Sequence, residues 1–391
     1  MNKIWPGHPK PRRDESLSSW LLRTIRLNGC EPHSFCNSIW PGRQIWNRDI
    51  DCLSDPVIVA ELARGTATPL DRAAQTTVRS LEGVLFERHF PHGRNEWILR
   101  SGVFHRTRRL TGSQFCPKCL AEEPPYFRLI WRVAIASTCP LHGIVLLDRC
   151  PQCSAPLVPH RARCPTECHI CRTDLTRANA LGADSIALQF EDRARKILEG
   201  APATLNQYGE IHPLAFFALV RQVLRVLSTG PRSKALRRAV AEQFGGDPSE
   251  PQFPSSTREI ESLAAADRHR LMTLLSRVIG GWPFLFVACC LEARVLASWA
   301  MRDMDGRNSP FAYADAVRTY LYRPARVSNP AEISAARAYL VKRGRKMGAY
   351  ALRKLMGIDS KQFTQPGSGD RLRAIPPLSA TADRLSQAND H

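Results

Sequence analysis

Seven cysteines and one histidine form four close pairs in the middle of the chain, and no other feature constrains the fold as strongly. The pairs are Cys116–Cys119, Cys139–His142, Cys150–Cys153 and Cys168–Cys171. Two residues separate the members of each pair, a spacing that lets a tight turn direct both side chains at one metal ion. Two such pairs across a short loop complete the four ligands of a zinc ribbon or finger. The sequence therefore predicts two zinc sites.

Sequential pairing is the simplest way to divide these ligands between two ions. The first site then uses Cys116, Cys119, Cys139 and His142, and the second uses Cys150, Cys153, Cys168 and Cys171. Protein ligands saturate both sites, so the predicted ions are structural and not catalytic. Cys164 is an alternative ligand that would replace Cys168. We interpret His160 and His169 as surface histidines and not as ligands.

The remaining cysteines lie outside this segment, in apolar or mixed surroundings. We interpret all five as core residues: Cys30, Cys36, Cys52, Cys289 and Cys290. In a reducing cytosol cysteines are rarely disulfide-bonded, so the dense central cluster indicates metal ligation.

The chain is strongly basic, with 55 Lys and Arg against 36 Asp and Glu and a net charge of +19. Such an excess favours a polyanionic partner such as DNA, because neutralised phosphates release condensed counterions. The alternative is an ordinary basic soluble protein. No segment approaches the roughly 20 apolar residues that span a membrane. The first 16 residues lack the apolar core of a signal peptide, so we expect a cytoplasmic protein.

Composition and periodicity predict a mainly α fold with small β elements of the zinc-ribbon or zinc-finger type. The predicted parts are an N-terminal helical, helix-turn-helix-like region (1–100), a tandem zinc-binding module (101–178), a C-terminal helical domain (179–364) and a tail (365–391). The tail is rich in Pro, Gly, Ser and polar residues, a composition typical of disorder.

Apolar residues at helical spacing predict the individual helices. In the N-terminal region these are a helix between Ser16 and Gly29, a short one within Pro32–Trp40 and a third over Leu70–Glu87. In the C-terminal half, helices are predicted from near Ala183 with Ile186 on the buried face, from Pro213, and from Ile260 to Val278, with another from Phe284 to Met301.

The C-terminal third carries nearly half of the excess positive charge. Residues 321–373 hold 12 Lys and Arg but three acids. The candidate nucleic-acid or partner contacts are Lys342, Arg343, Arg345, Lys346, Arg353, Lys354, Lys361 and Gln362. Residues 350–363 fit a helix-turn-helix with Lys361 and Gln362 at the start of a recognition helix. The alternatives are a solvated basic face and a protein-docking segment.

The sequence does not indicate an enzyme. Asp49 and Asp51 are the nearest pair of carboxylates for two-metal phosphoryl transfer, but without a third carboxylate we interpret them as loop or capping residues. A Gly-Lys-Ser/Thr phosphate loop is absent from the sequence, so the chain is not itself an ATPase. We interpret Tyr126 and Trp131, between the first two pairs, as core residues.

Three segments together resemble the TniQ family, which includes the TnsD target selectors. They are the run from Pro11 to Arg23 with Asn28-Gly29 after it, Phe115–Arg132 with its first cysteine pair, and Cys139–Leu175 with the other three pairs. Together they cover roughly the first 180 residues. Two features differ from the family pattern: Arg172 stands where the family has Gly, and Cys164 is additional.

The resemblance implies a non-enzymatic accessory protein of transposition and DNA recombination. Such proteins link a target site to an AAA+ ATPase, TniB- or TnsC-like, which recruits the transposase. Some family members read DNA directly. Others dock onto the RNA-guided complex of a CRISPR-associated transposon, where a homodimer is known. The alternative function is a stand-alone zinc-dependent DNA-binding transcription regulator.

Overall fold

A computed structural model of the chain describes residues 4–43, 45, 48–101, 112–230, 232–244, 259–301, 309–322, 329–345 and 348–356. Helices predominate among them, and the predicted mainly α fold with small β elements is confirmed. The helices are α1 Leu17–Leu27, α2 Pro32–Ile39, α3 Ile50–Leu53, α4 Pro56–Gly65, α5 Leu70–Ala74, α6 Pro117–Ala121, α7 Ser185–Leu198, α8 Pro213–Ser228, α9 Ser233–Gln243, α10 Ala265–Gly280, α11 Phe284–Glu292, α12 Ala297–Ala300, α13 Phe311–Ala316, α14 Pro330–Lys342 and α15 Ala349–Met356.

Two short antiparallel sheets interrupt the helices. Strand β1 (Thr138–Cys139) pairs with β2 (Ile144–Val145) in the cysteine-rich segment, and β3 (Ala203–Thr204) pairs with β4 (Glu210–Ile211) between α7 and α8. The first hairpin carries two of the predicted zinc ligands, so the sheet lies where the sequence predicts a metal-organised module.

Helix α1 shows how local signals place the N-terminal region. The Ser16 side chain accepts a hydrogen bond from the Ser19 amide and caps the helix, which satisfies one of the donors that a helix start leaves free. The apolar face that includes Leu17 and Trp20 is fully buried. Gly29 follows the helix at φ +64°, a conformation that glycine adopts without a Cβ clash. The predicted first helix is confirmed.

The predicted helix over Leu70–Glu87 is wrong beyond Ala74. The hydroxyls of Thr76 and Thr77 donate to the carbonyls of Ala73 and Ala74, so side chains satisfy the last acceptors of α5. A 3₁₀ turn follows over Val78–Leu81. The apolar spacing in this stretch reflects packing of separate turns against the core.

In the C-terminal half α8 begins at Pro213, as predicted. The helix predicted from Ile260 begins only at Ala265, after a 3₁₀ turn, and the one predicted from Phe284 to Met301 is divided into α11 and α12. The buried face of α7, however, is formed by Ala187, Phe190, Glu191, Ala194 and Ile197. Ile186, predicted to be buried, is exposed, because Asp184 caps α7 just before it and the first turn faces solvent.

Buried apolar residues form three clusters. One joins α1 to α5, and a second surrounds the cysteine pairs. The largest combines α7–α13 with residues 78–99 and 129–135. The segment before residue 100 therefore packs in part against the C-terminal helices. The domain boundaries stay a prediction.

Among the described residues, no single helix has the length and apolarity to cross a membrane. Helices α10 and α11 meet these criteria together, but their axes bend by 116° at the break between them.

Candidate metal centres

The first cluster is assembled by a short helix and a hairpin. Helix α6 begins directly after Cys116, whose sulfur accepts a hydrogen bond from the Cys119 amide. The β1–β2 hairpin holds Cys139 in its first strand and His142 in its turn, where Gly143 has φ +61°. These two turns bring together the four residues that sequence spacing assigns to the first site.

The distances in this cluster fit a tetrahedral zinc ion. The Sγ atoms of Cys119 and Cys139 are 3.5 Å apart, and His142 Nδ1 lies 3.3–3.5 Å from the sulfurs of all three cysteines. Zinc bonds of about 2.3 Å to sulfur and about 2.0 Å to nitrogen place ligand atoms about 3.5–3.8 Å apart in a tetrahedron. All four ligand atoms lie within 4.8 Å of one another.

The imidazole of His142 has a partner on its other side. Its Nε2 lies 3.3 Å from Glu122 Oε1. With Nδ1 facing the sulfurs, Nε2 is the ring nitrogen that faces this carboxylate. Such a contact fixes the tautomer and the ring orientation of a metal-bound histidine. Glu122 was not anticipated from the sequence, although it follows α6 directly.

The second cluster contains four cysteines on two turns. Cys150 Sγ lies 3.5 Å from Cys171 Sγ, and Cys153 Sγ lies 3.7 Å from Cys168 Sγ. All four sulfurs lie within 4.8 Å of one another, which again fits tetrahedral zinc. The structure thus brings together the second predicted ligand set.

A left-handed residue follows each turn of the second cluster. Ser154 has φ +56° and Arg172 has φ +61°. Their amides donate to the carbonyls of Cys150 and Cys168 at 3.0 Å and close the turns. Arg172 is the position at which the family pattern has Gly, and the positive φ explains that preference. A residue with a Cβ at this φ raises the conformational free energy of the folded chain by about 1 kcal/mol. This is small enough to leave the turn intact.

Cys164, the alternative ligand, lies outside the second cluster and places its sulfur 2.8 Å from the Thr166 hydroxyl. His160 and His169 are outside both clusters as well. The interpretation of His160 as a surface histidine is wrong, because it is buried in the 3₁₀ turn Pro159–Arg161, which packs against α1.

Contacts within the clusters shift the thiol pKa values in opposite directions. Hydrogen bonds from Cys116 and Cys119 hold the pKa of Cys139 well below its usual range. The Thr173 hydroxyl lowers the pKa of Cys171 to about 6, whereas burial raises that of Cys168 to about 12. A bound cation would stabilise all of these thiolates together, since metal ligation requires the deprotonated form.

The cysteines outside the clusters are mostly as predicted. Cys36, Cys289 and Cys290 are buried, and Cys52 is half-buried against the largest apolar cluster. The core interpretation is wrong for Cys30, which is exposed. It follows the glycine that ends α1, where the chain has already left the core.

Asp49 and Asp51 are structural, as the sequence suggests. Asp49 caps α3 by accepting from the Cys52 amide, and Asp51 accepts from the backbone and hydroxyl of Ser18. Both carboxylates also face the buried guanidinium of Arg132. Burial alone would raise the pKa of Asp49, but the charge of Arg132 and hydrogen bonds from Ser101, Arg132 and the Cys52 amide together outweigh it and lower that pKa. Burial raises the pKa of Asp51 to about 6.

The aromatic segment between the first two pairs is only partly core. Trp131 is buried, as expected, and packs edge-on against Phe127. Tyr126 is half-buried and lies beneath the guanidinium of Arg128, 4.9 Å from the ring centroid.

Another buried carboxylate joins the cysteine-rich segment to the C-terminal helices. Glu191 on α7 accepts hydrogen bonds from the amides and hydroxyls of Ser137 and Thr138. Nearby, Arg268 on α10 is fully buried and donates to Gln114 Oε1 at 2.7 Å. Burial raises the pKa of Glu191 to about 7. The sequence indicated this role of Glu191 only by its position within the apolar stripe of α7.

The structure describes part of the basic C-terminal segment. Lys342, Arg343 and Arg345 are exposed where α14 ends, and the Arg343 guanidinium lies 5.6 Å from the ring centroid of Tyr339. Arg353 and Lys354 belong to α15. Lys346, Lys361 and Gln362 lie outside the described residues. The predicted recognition helix therefore stays a prediction, as does the helix-turn-helix of the N-terminal region.

Comparison with known families identifies one match. Residues 6–146 match the family model described as TniQ. The matched span includes all four residues of the first cluster and ends before the second. No curated protein matches the chain.

Proposed function

We propose that the chain, whose residues 6–146 match the TniQ family model, is a non-enzymatic adaptor that selects targets for transposition. In this role it connects a DNA target, reached directly or through an RNA-guided CRISPR complex, with an AAA+ transposition ATPase. The observation that carries the proposal is the TniQ match over residues 6–146. A cytoplasmic location accords with this role, since the target is intracellular DNA.

Two structural zinc ions complete the proposed adaptor. The donor sets are three thiolates with one imidazole and four thiolates, and the spacing of their atoms fits tetrahedral zinc. Each ion would have only protein ligands, so it would organise the segment from Cys116 to Cys171 without activating water. Zinc content measured by elemental analysis should equal two ions per chain. A content of one or none would refute this part of the proposal.

The exposed end of α14 supports a contact with phosphate groups. Lys342, Arg343 and Arg345 form an exposed basic group within four residues. Positive side chains in this arrangement bind the DNA backbone without reading sequence. The surface accordingly suits attachment to DNA beside a target that another component specifies. Lys346, Arg353, Lys354, Lys361 and Gln362 are proposed to extend the same contact.

The adaptor role is tested by co-purification with the AAA+ ATPase encoded beside the gene. We expect a complex that forms in the presence of ATP and DNA and is lost when nucleotide is removed. A stand-alone transcription regulator would instead bind an operator near its own gene and ignore the ATPase. That outcome would replace the proposed function.

The DNA contact is tested by reversing charge at α14. Arg343→Glu with Arg345→Glu should weaken DNA binding about 10- to 100-fold. The slope of log K against log salt should become shallower by about 0.9 for each phosphate that the variant no longer neutralises. The matched control is Arg232→Glu with Arg238→Glu, exposed positions at α9 that carry the same change in charge. Equal losses of affinity in both variants would show that only net charge matters.

A further inference from the structure

We propose that the second cluster is a site of reversible thiol oxidation by peroxide, at which disulfide formation expels zinc and releases a loop from α1. The first cluster resists the same oxidant. This inference rests on the zinc sites proposed above and adds a reactivity that differs between them. It concerns a segment that lies beyond the residues matched by the family model.

The two clusters differ in the exposure of their cysteine residues. Cys116, Cys119 and Cys139 are all buried, at 4% exposure or less. In the second cluster the cysteines alternate: Cys150 and Cys168 are buried, whereas Cys153 and Cys171 are exposed. Oxidation of a thiolate requires approach of the oxidant to sulfur, so it follows exposure as well as thiolate character.

Apolar side chains explain the protection of the first cluster. Phe115, Leu120, Phe127 and Trp131 are buried in one apolar cluster with its three cysteines. In the second cluster only Cys150 and Cys168 belong to this apolar cluster, whereas Cys153 and Cys171 lie outside it and are exposed.

The proposed chemistry begins at Cys171. Its thiolate attacks one oxygen of hydrogen peroxide, the O–O bond breaks, and sulfenic acid and hydroxide form. The thiolate of Cys150, 3.5 Å away, then attacks that sulfur, forming the disulfide and releasing a second hydroxide. Two protons supplied by the acid form of the buffer convert the two hydroxides into water. The two sulfurs together lose two electrons, the peroxide gains two, and zinc departs because only two thiolates remain.

Loss of this ion would weaken a contact between the loop and α1. Residues 154–167 form the loop that the second cluster closes, and the 3₁₀ turn Pro159–Arg161 in this loop packs against α1. His160 and Ala162 are buried at this contact, at 6% and 3% exposure. Zinc therefore closes a loop that rests on the N-terminal helices, and its release frees the two ends of that loop.

The experiment treats the full-length, zinc-loaded protein with hydrogen peroxide and follows zinc with a chromogenic chelator. We expect one of two ions to be released at least about tenfold faster than the other. A disulfide should join the tryptic peptides 150–161 and 164–172. Hydrogen exchange in 157–162 and α1 should rise with the first release, and thiol reductant with added zinc should reverse all three changes.

Two variants sharpen the experiment. Cys30→Ser removes an exposed thiol that is not a ligand and should leave zinc release unchanged. Cys171→His gives the second cluster the donor set of the first. It should retain two ions and release the first of them several-fold more slowly, with any residual disulfide formed between Cys153 and Cys168.

Several outcomes would overturn the inference. These are release of both ions together, release without the peptide cross-link, an unchanged rate in Cys171→His, or exchange that rises evenly across the chain. Each leaves the adaptor proposal intact if the untreated protein holds two zinc ions. If the untreated protein holds none, the zinc proposal itself fails, before any oxidant is added.

Discussion

Buried polar groups attach the cysteine-rich segment to the N-terminal helices and to the C-terminal helices. The two attachments differ in how the buried charge is stabilised. Towards the N-terminal helices, the charge of Arg132 is shared between Asp49 and Asp51. Towards the C-terminal helices, Glu191 has no ion-pair partner among the described residues and relies on four neutral donors from Ser137 and Thr138. In the N-terminal attachment opposite charges stabilise each other. In the C-terminal attachment neutral hydrogen-bond donors stabilise a single carboxylate.

The difference predicts how each attachment responds to change. Removing one member of an ion pair leaves an uncompensated buried charge. A carboxylate held by neutral donors can instead take up a proton, which is why burial raises the pKa of Glu191 to about 7. The N-terminal attachment should therefore be sensitive to mutation, and the C-terminal one to pH.

The largest effect is expected for Arg132→Met. It leaves two buried carboxylates without their cation and should lower the free energy of unfolding by about 3–5 kcal/mol, measured by urea denaturation. Adding Asp49→Asn and Asp51→Asn should restore much of the loss. If the triple variant is as unstable as the single one, the guanidinium acts by packing and not by charge.

Glu191→Ala should have the next largest effect. Four donors would be left without their acceptor, and unsatisfied buried donors of this kind should cost about 2–3 kcal/mol in the same measurement. Glu191→Gln keeps an oxygen acceptor and should cost about 1 kcal/mol. Equal destabilisation by Ala and Gln would show that the negative charge, and not the hydrogen bonding, matters at this position.

The pH dependence should distinguish Glu191→Gln from the unchanged chain. The folded pKa of Glu191 is raised from 4.5 to about 7, so the folded state holds its proton where the unfolded state has lost it. Stability conferred by this group therefore falls as pH rises from about 4.5 to about 7, by on the order of 2 kcal/mol.

The variant should lack that decline. His269 contacts the Ser137 hydroxyl, and burial lowers its pKa. Its contribution to stability therefore rises with pH, and it does so equally in the variant and in the unchanged chain. Arg268 also faces this region and stays charged throughout the window. The difference in pH dependence between the two chains therefore reports on Glu191 alone. Parallel plots of stability against pH would contradict the raised pKa of Glu191.

The smallest effect is expected for Ser18→Ala. Its hydroxyl donates to Asp51 Oδ2 at 2.9 Å, while its amide keeps a separate bond to Oδ1 at 2.7 Å. Loss of the hydroxyl should cost about 1 kcal/mol. A destabilisation as large as that of Arg132→Met would mean that Asp51 depends on Ser18 as much as on Arg132.

Local signals made much of the fold and both clusters predictable. The pairs from Cys116 to Cys171, the Ser16 cap and Pro213 each act within a few residues, so sequence spacing is enough to find them. Arg132 and Glu191 were missed as structural residues. Their partners lie between 31 and 83 residues away along the chain, and no local pattern indicates which distant groups will satisfy a buried charge.

The backbone also connects distant parts of the chain around residue 130. The Ser16 amide donates to the Phe127 carbonyl, the Leu129 amide to the Asp14 carbonyl, and the Leu99 amide to the Arg132 carbonyl. During synthesis on the ribosome, the helices that leave the exit tunnel first lack these partners until roughly a hundred further residues have emerged. Until then, part of the N-terminal region stays exposed to solvent and lacks its backbone hydrogen-bond partners.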